Sequence, residues 1–427
     1  MVTKRNHFHF KIATNTLVIM LLFPILSLLI NVPGGTKVPV FVGLFSLLYL
    51  SRDFSFKKAF FSRPLKIYAV LMTYHFLNAV FLNVPGTDMD VLFTCVLTPV
   101  LAMGLTVFMG RSNMNKTIAV LFYTYLVYTA LVILVFRTSG IANDEGRIQT
   151  ATLHPNIIGQ YAGFAGVLLS IFCVYRNKSI FFYASVAALP LGVILLTQSR
   201  NSISIFALSI LIYTIGRFVK SKAKSHGIII LVAIAMLVVP VGQYILDNTD
   251  AGKRFVEASK GESMQVKDAY ATGTVFDGFL GERIVYYIIG FDNFLDHPVN
   301  GIGLWNYSGY NRSEYPLHTE YMVHLAEGGL IGAILYLFFI YSVISSFIKS
   351  KAKSNFLYWQ LLLSLLVILF VGITARQFPY VQFFPIWGLI IAFLMYNEPG
   401  YSNKKQTQYS LNYEDSISNR STRLRRR

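Results

Sequence analysis

Residues 356–373 read FLYWQLLLSLLVILFVGI, a run without one charged side chain. A helix needs roughly 20 residues to cross the hydrocarbon layer, and in lipid its amides must be satisfied within their own segment. The run is therefore read as a membrane-spanning helix. Its flanks agree: Lys349, Lys351 and Lys353 precede it and Arg376 follows.

Working outward, comparable blocks lie near 12–30, 38–50, 65–82, 91–109, 117–136, 155–175, 180–196, 202–219, 227–246, 319–348 and 379–396. The block at 38–50 is short. With 54% hydrophobic and 13% charged residues, the chain carries more apolar surface than a soluble core would hide. Period-two alternation, the mark of a membrane barrel, is missing from these blocks. The expectation is an all-α polytopic membrane protein with about twelve transmembrane helices. Residues 1–246 would hold the first nine, 247–317 one large external loop, 318–396 the last three and 397–427 a basic cytoplasmic tail. Met1–Lys11 is basic, but the apolar stretch after it continues into a full span, so no cleavable signal peptide is expected.

Basic residues set the orientation. With the N-terminus inside, the inner segments and inner span ends hold 26 of the 37 Lys and Arg residues and 4 of the 20 Asp and Glu residues. Arg52, Lys57, Lys58 and Arg63 share one such loop, and Lys220, Lys222 and Lys224 another. This is the positive-inside pattern, with both termini cytoplasmic. It accounts for the net charge of +17 without a nucleic-acid partner. The Arg423–Arg427 region is read as a tail near anionic headgroups. Cys95 and Cys173 fall at opposite ends of their spans and are read as packing residues.

The outer face is the informative one. In the large loop Ile284, Tyr287, Ile288, Phe291 and Leu295 recur at helical spacing, predicting an amphipathic helix on the membrane surface or capping the bundle. Gly301-Ile302-Gly303 is too short for a nucleotide-binding fingerprint and is read as turn chemistry. Arg137, Arg147, Arg200 and Arg376 stand at outer span ends, against the charge trend, and Arg283 opens the amphipathic segment. Arg200 lies in the tight turn Gln198-Ser199-Arg200-Asn201. Buried charges in a bilayer cost about 2.5–3.5 kcal/mol and often mark function. The plain alternative is that Arg200 snorkels to headgroups or pairs with a loop carboxylate. For Arg137 an ordinary anchor is the better reading. Several arginines on one face suit a pyrophosphate, because guanidinium pairs bidentately with phosphate oxygens and keeps its charge.

Four segments together resemble the O-antigen ligase and Wzy-type O-antigen polymerase superfamily of bacterial envelope glycan enzymes. They are Arg147-Ile148 with Leu153-His154-Pro155-Asn156-Ile157-Ile158-Gly159; Thr197-Gln198-Ser199-Arg200; Gly281-Glu282-Arg283 with Asp296-His297-Pro298-Val299-Asn300-Gly301-Ile302-Gly303; and Leu317-His318-Thr319-Glu320-Tyr321 running into Ala326-Glu327-Gly328-Gly329-Leu330-Ile331-Gly332. The resemblance covers roughly residues 140–345. One departure is Thr319, where the family often has Asn or Ser.

The resemblance implies a GT-C-like, metal-independent, inverting glycosyltransferase of the bacterial inner membrane, acting in lipopolysaccharide or related polysaccharide biosynthesis. It would need no cofactor and would face the periplasm. The donor would be a glycan on undecaprenyl pyrophosphate. The acceptor would be a glycan hydroxyl in a repeat-unit polymerase, the favoured branch, or lipid A-core in a ligase. Membrane lipids and a chain-length regulator protein are the other implied partners. His318 would be catalytic, a general base titrating near neutral pH. Arg200 and Arg283 would hold the pyrophosphate and stabilise the charge that grows on it. Arg147, His154, Asn156, Glu320 and Arg376 would be substrate contacts.

Two other readings compete. Asp88-Met89-Asp90 in an outer loop could bind a divalent ion in a metal-dependent relative, though carboxylates at a span start also suit the helix dipole. A transporter or flippase should show similar halves and polar residues at mid-membrane, whereas here the polar features gather at the outer rim. His324 stands four residues after Glu320 and three before Glu327, a spacing that favours pairing within one helix. Gly328, Gly329 and Gly332 are read as a close-packing face. His7 and His9 have no evident partner ligands.

Overall fold

The computed structural model describes residues 2–29, 37–82, 89–139, 155–221, 281–304, 319–377 and 381–396. Among these residues all regular elements are helical. They are α1 (Val2–Leu29), α2 (Lys37–Leu50), α3 (Phe54–Phe60), α4 (Arg63–Phe81), α5 (Met89–Ser139), α6 (Pro155–Tyr175), α7 (Ile180–Thr197), α8 (Arg200–Lys220), α9 (Gly281–Asp296), α10 (Gly329–Lys349), α11 (Phe356–Thr374) and α12 (Phe384–Tyr396). The turn Glu320–Met322 and a π-helical stretch, Val323–Glu327, lead into α10. Six helices among the described residues are long and apolar enough to cross a membrane. The all-α polytopic membrane fold expected from the sequence is the fold observed.

The differences from the expected spans have local causes. The blocks at 91–109 and 117–136 are two arms of α5, broken only at Asn113 (φ −162°, ψ 91°). Asn113 Oδ1 accepts from the Lys116 amide at 3.0 Å, so it caps the second arm as an N-terminal Asn does. α12 spans only 13 residues, about 20 Å at 1.5 Å per residue, and is buried against α5. α3 is an additional short helix on the basic loop before α4. At the start of the chain, His9 Nδ1 lies 2.5 Å from Asp53 Oδ2. The block at 227–246 lies outside the described residues.

α6 is the central helix. Its sequence is apolar all round, and each residue from Ile158 to Val174 is buried, as such a composition requires. Gly159, Gly163 and Gly166 form the seam to α8. A Cβ there would stand 2.4 Å from Ser202 Oγ, 3.0 Å from Ile205 or 2.8 Å from the Phe206 ring. Small residues at such seams let backbones approach where lipid offers no hydrophobic drive. Gln360 then ties α11 to α6 by donating to the Ser170 carbonyl at 3.3 Å.

α4 packs along α10, with the Tyr68 and Phe339 rings 5.0 Å apart. Its buried face carries Leu65, Tyr68, Leu71, Met72, His75 and Asn78, the i, i+3, i+4 series of one helical stripe. The last two bring polar groups to one end of the bundle.

Candidate functional site

At that end the chain leaving α9 is bonded to the start of α10. Ile302 and Gly303 donate their amides to the carbonyls of Ala326 (2.9 Å) and Glu327 (3.1 Å), and Leu330 donates to Pro298 O at 2.8 Å. Gly301 (φ +68°) and Gly329 (φ +61°) face each other across this seam. A Cβ on Gly301 would meet Ala326 O at 2.5 Å, and one on Gly329 would meet Val299 O at 2.4 Å. Only glycine satisfies both the left-handed backbone and the contact. The turn reading of Gly301-Ile302-Gly303 agrees with this geometry. So does the packing reading of Gly328 and Gly332, whose added Cβ atoms would stand 2.7 Å from His75 Cε1 and His324 O.

The π-helical stretch has a physical reason. Carbonyls at its end, and that of Asn300 after α9, meet α4. Tyr74 donates to Gly328 O at 2.8 Å, and Asn78 donates to Asn300 O at 2.6 Å and Glu327 O at 3.2 Å. π-Turns recur at functional sites. On the other flank, Ile289 of α9 packs with Ile302, Met322, Val323 and Ala326 in a small apolar cluster. Ile288, Phe291 and Leu295 face away from the bundle.

Beneath this surface lies a buried polar frame. Arg376 Nη1 and Nη2 donate to Glu327 Oε1 (2.7 Å) and Oε2 (3.1 Å), a bidentate pair with both side chains buried. Glu320 Oε2 accepts from the Gln377 amide at 2.7 Å, and Oε1 lies 3.2 Å from His324 Nε2. His324 Nδ1 is 2.9 Å from His75 Nε2, and its ring stacks on Tyr336 at 4.1 Å. Each carboxylate therefore has charge-assisted or amide donors, the condition for burying it. Thr319 caps the turn, with its side chain accepting from the Met322 amide at 3.5 Å and its carbonyl from Val323 at 3.1 Å.

The sequence candidates distribute as follows. His318, Arg147 and His154 lie outside the described residues, as does Asp88. Thr319, the neighbour of His318, opens the capped turn. Arg200 is the first residue of α8, after the left-handed turn residue Gln198 (φ 51°), and Arg283 is in the first turn of α9. Asn156 is in the first turn of α6, where Gly159 meets Thr197 and Ser199 of the α7–α8 turn. Asn201, next to Arg200, donates to Thr374 O at 3.3 Å, and Tyr287 of α9 donates to Ile373 O at 2.9 Å. The starts of α8 and α10, α9, and the end of α11 thus meet at one end of the bundle, bringing together the segments of Arg200, Arg283, Glu320 and Arg376. The Glu320–His324 pairing expected from spacing is present. Glu327 goes to Arg376 instead of His324.

Residues 184–337 match a family model described as O-antigen ligase. This stretch carries an O-antigen ligase domain. It indicates activity of the O-antigen ligase and polymerase type, on lipid-linked glycan and acceptor substrates in general. No curated protein matches the chain. The O-antigen ligase domain runs from α7 into α10 and contains Arg200, Arg283, His318, Glu320 and Glu327. The partners of its polar frame, His75, Asn78, Arg376 and Gln377, stand outside it.

Sequence reasoning assigned nothing to His75, Asn78 or Gln377. A signal existed for the first two, since they continue the apolar stripe of α4 at helical spacing, and a polar residue there must find a buried partner. Nothing in one sequence names that partner. Gln377 acts through its backbone amide, which leaves no compositional trace.

Proposed function

We propose that the chain transfers an oligosaccharide from undecaprenyl pyrophosphate to a hydroxyl of a second glycan, as a repeat-unit polymerase for O-antigen, capsule or exopolysaccharide. It works from the periplasmic side of the bacterial inner membrane, with both termini cytoplasmic. His318 takes the proton from the acceptor hydroxyl as its oxygen attacks the anomeric carbon. The bond from that carbon to the pyrophosphate oxygen breaks, and the pyrophosphate leaves with the electron pair. A single displacement of this kind inverts the anomeric configuration. Arg200 and Arg283 stabilise the negative charge that develops on the leaving oxygen. Pyrophosphate is a good leaving group, so neither a metal ion nor a separate general acid is required. Arg147, His154 and Asn156 contact headgroup or sugar. Glu320 and Arg376 shape the floor under the substrate, and a chain-length regulator sets when the product is released.

What supports this reading most is that the starts of α8 and α10 and the helix α9, all in the stretch that matches the O-antigen ligase model, meet at the end of α11 at one end of the bundle. A capped turn, Glu320–Met322, begins two residues after His318, and proximity and orientation supply much of a catalyst's effect.

Deleting the gene and inspecting the surface glycan tests the branch. A polymerase leaves single repeat units attached to lipid A, with the longer ladder gone. Glycan stranded on undecaprenyl pyrophosphate, with bare lipid A-core, would assign the ligase reaction instead.

A further inference from the structure

One line of hydrogen bonds at this end of the bundle links three separate elements. Glu320 Oε1, His324 and His75 form a buried series with steps of 3.2 and 2.9 Å. With Glu320 ionised and both rings neutral, the tautomers are fixed: His324 donates from Nε2 to Glu320, and its Nδ1 accepts from Nε2–H of His75. The remaining carboxylate oxygen accepts from the Gln377 amide. The series joins α4, the π-helical stretch and the segment after α11, and it ends two residues from His318.

An apolar side chain at position 75 would complete the stripe of Tyr68, Leu71 and Met72 and pack on Gly328 and Gly332 as an imidazole does. Polar groups buried in a membrane protein are costly and are kept where they serve function. Buried polar networks can contribute uniqueness of arrangement more than net stability. The arrangement fixed here is that of Glu320, and through it the backbone that follows His318.

We propose that His75 is a positioning residue for the glycan-transfer site, acting through His324 and Glu320 to hold the turn Glu320–Met322 that follows His318 in sequence. The inference rests on the transferase reading above. It places a determinant of turnover on α4, more than a hundred residues before the O-antigen ligase domain begins.

The experiment uses the purified full chain in detergent, with lipid-linked oligosaccharide extracted from the deletion strain as donor. Wild-type protein should consume that donor; failure to do so overturns the transferase reading and this inference with it. His75→Phe keeps an aromatic ring, somewhat larger than imidazole, and loses the hydrogen bond. It should keep the wild-type elution profile and a KM for donor within about threefold, while kcat falls about 10–100-fold. His75→Gln, whose amide nitrogen can occupy the place of Nε2, should return kcat to within about threefold of wild type. An active wild type whose His75→Phe variant turns over at an unchanged kcat would overturn the proposal alone. So would a loss of folded protein in both variants, which would make His75 a residue of the fold, or a kcat deficit that Gln leaves uncorrected.

Discussion

Arg376 and Glu327 meet in bidentate geometry with both side chains buried, 49 residues apart in sequence. Breaking such a pair leaves one uncompensated charge, at a cost of about 3–5 kcal/mol, whereas replacing both partners by apolar residues is often neutral. Arg376→Met and Glu327→Leu are each expected to lower the thermal unfolding temperature in detergent strongly, and the double variant to regain most of the loss. A double variant as unstable as either single one would mean that the pair is not the origin of the effect. Gly301 carries a similar constraint in the backbone. Gly301→Ala forces a side chain into the left-handed region against the Ala326 carbonyl. It should therefore reduce both stability and glycan transfer, whereas alanine at Gly192, where an added Cβ meets nothing within 4 Å, should leave both unchanged. Unfolding curves and ladder length report the two readouts.

At the scale of elements, the seam between α6 and α8 is set by Gly159, Gly163 and Gly166. Gly163→Leu would drive a branched side chain into Ile205 and the Ser202 carbonyl, and overpacking of this kind costs about 1–3 kcal/mol or more. The expected outcome is loss of the protein from the membrane fraction by immunoblot, with Gly163→Ala milder. Elements also mark how far the sequence could be read. Helices such as α6 and α11 were legible because apolar length and the lipid leave one solution for the backbone. The break at Asn113 was read as a loop because a capping Asn and a flanking Arg111 and Lys116 look like one. The π-helical stretch was hidden, since its carbonyls are claimed by amides and side chains from α4 and the α9 turn, and those partners are distant in sequence. The same holds for the site. His318, Arg200 and Arg283 stood out by residue type, sidedness and resemblance, while His75–His324, with 249 residues between them, needed the packing of α4 on α10 to become visible.

For the whole molecule, the uneven distribution of Lys and Arg predicts that the end of the bundle holding the Arg376–Glu327 pair faces outward. In a chain with Cys95 and Cys173 replaced by serine, a cysteine at Ser354 should be shielded from a membrane-impermeant thiol reagent in intact cells. One at Thr274 in the large loop should react. The reverse pattern would invert the proposed topology and move the site to the cytoplasm. With that orientation, the proposed reaction would place the headgroup of a lipid-linked donor at the depth of the α8 and α10 starts. The exposed Ile288, Phe291 and Leu295 of α9 then lie at the boundary with the outer leaflet, where an amphipathic helix is stable.

The central claim is that His318 activates the acceptor on the frame built by Glu320, His324, Arg376 and Gln377. The most direct measurement is glycan transfer by a His318→Ala variant that is present in the membrane and elutes as the wild type does. The account predicts loss of transfer by about 100-fold or more, within the range for removing a general base, with the lipid-linked donor accumulating unconsumed. A folded His318→Ala protein that builds a wild-type glycan ladder would contradict it.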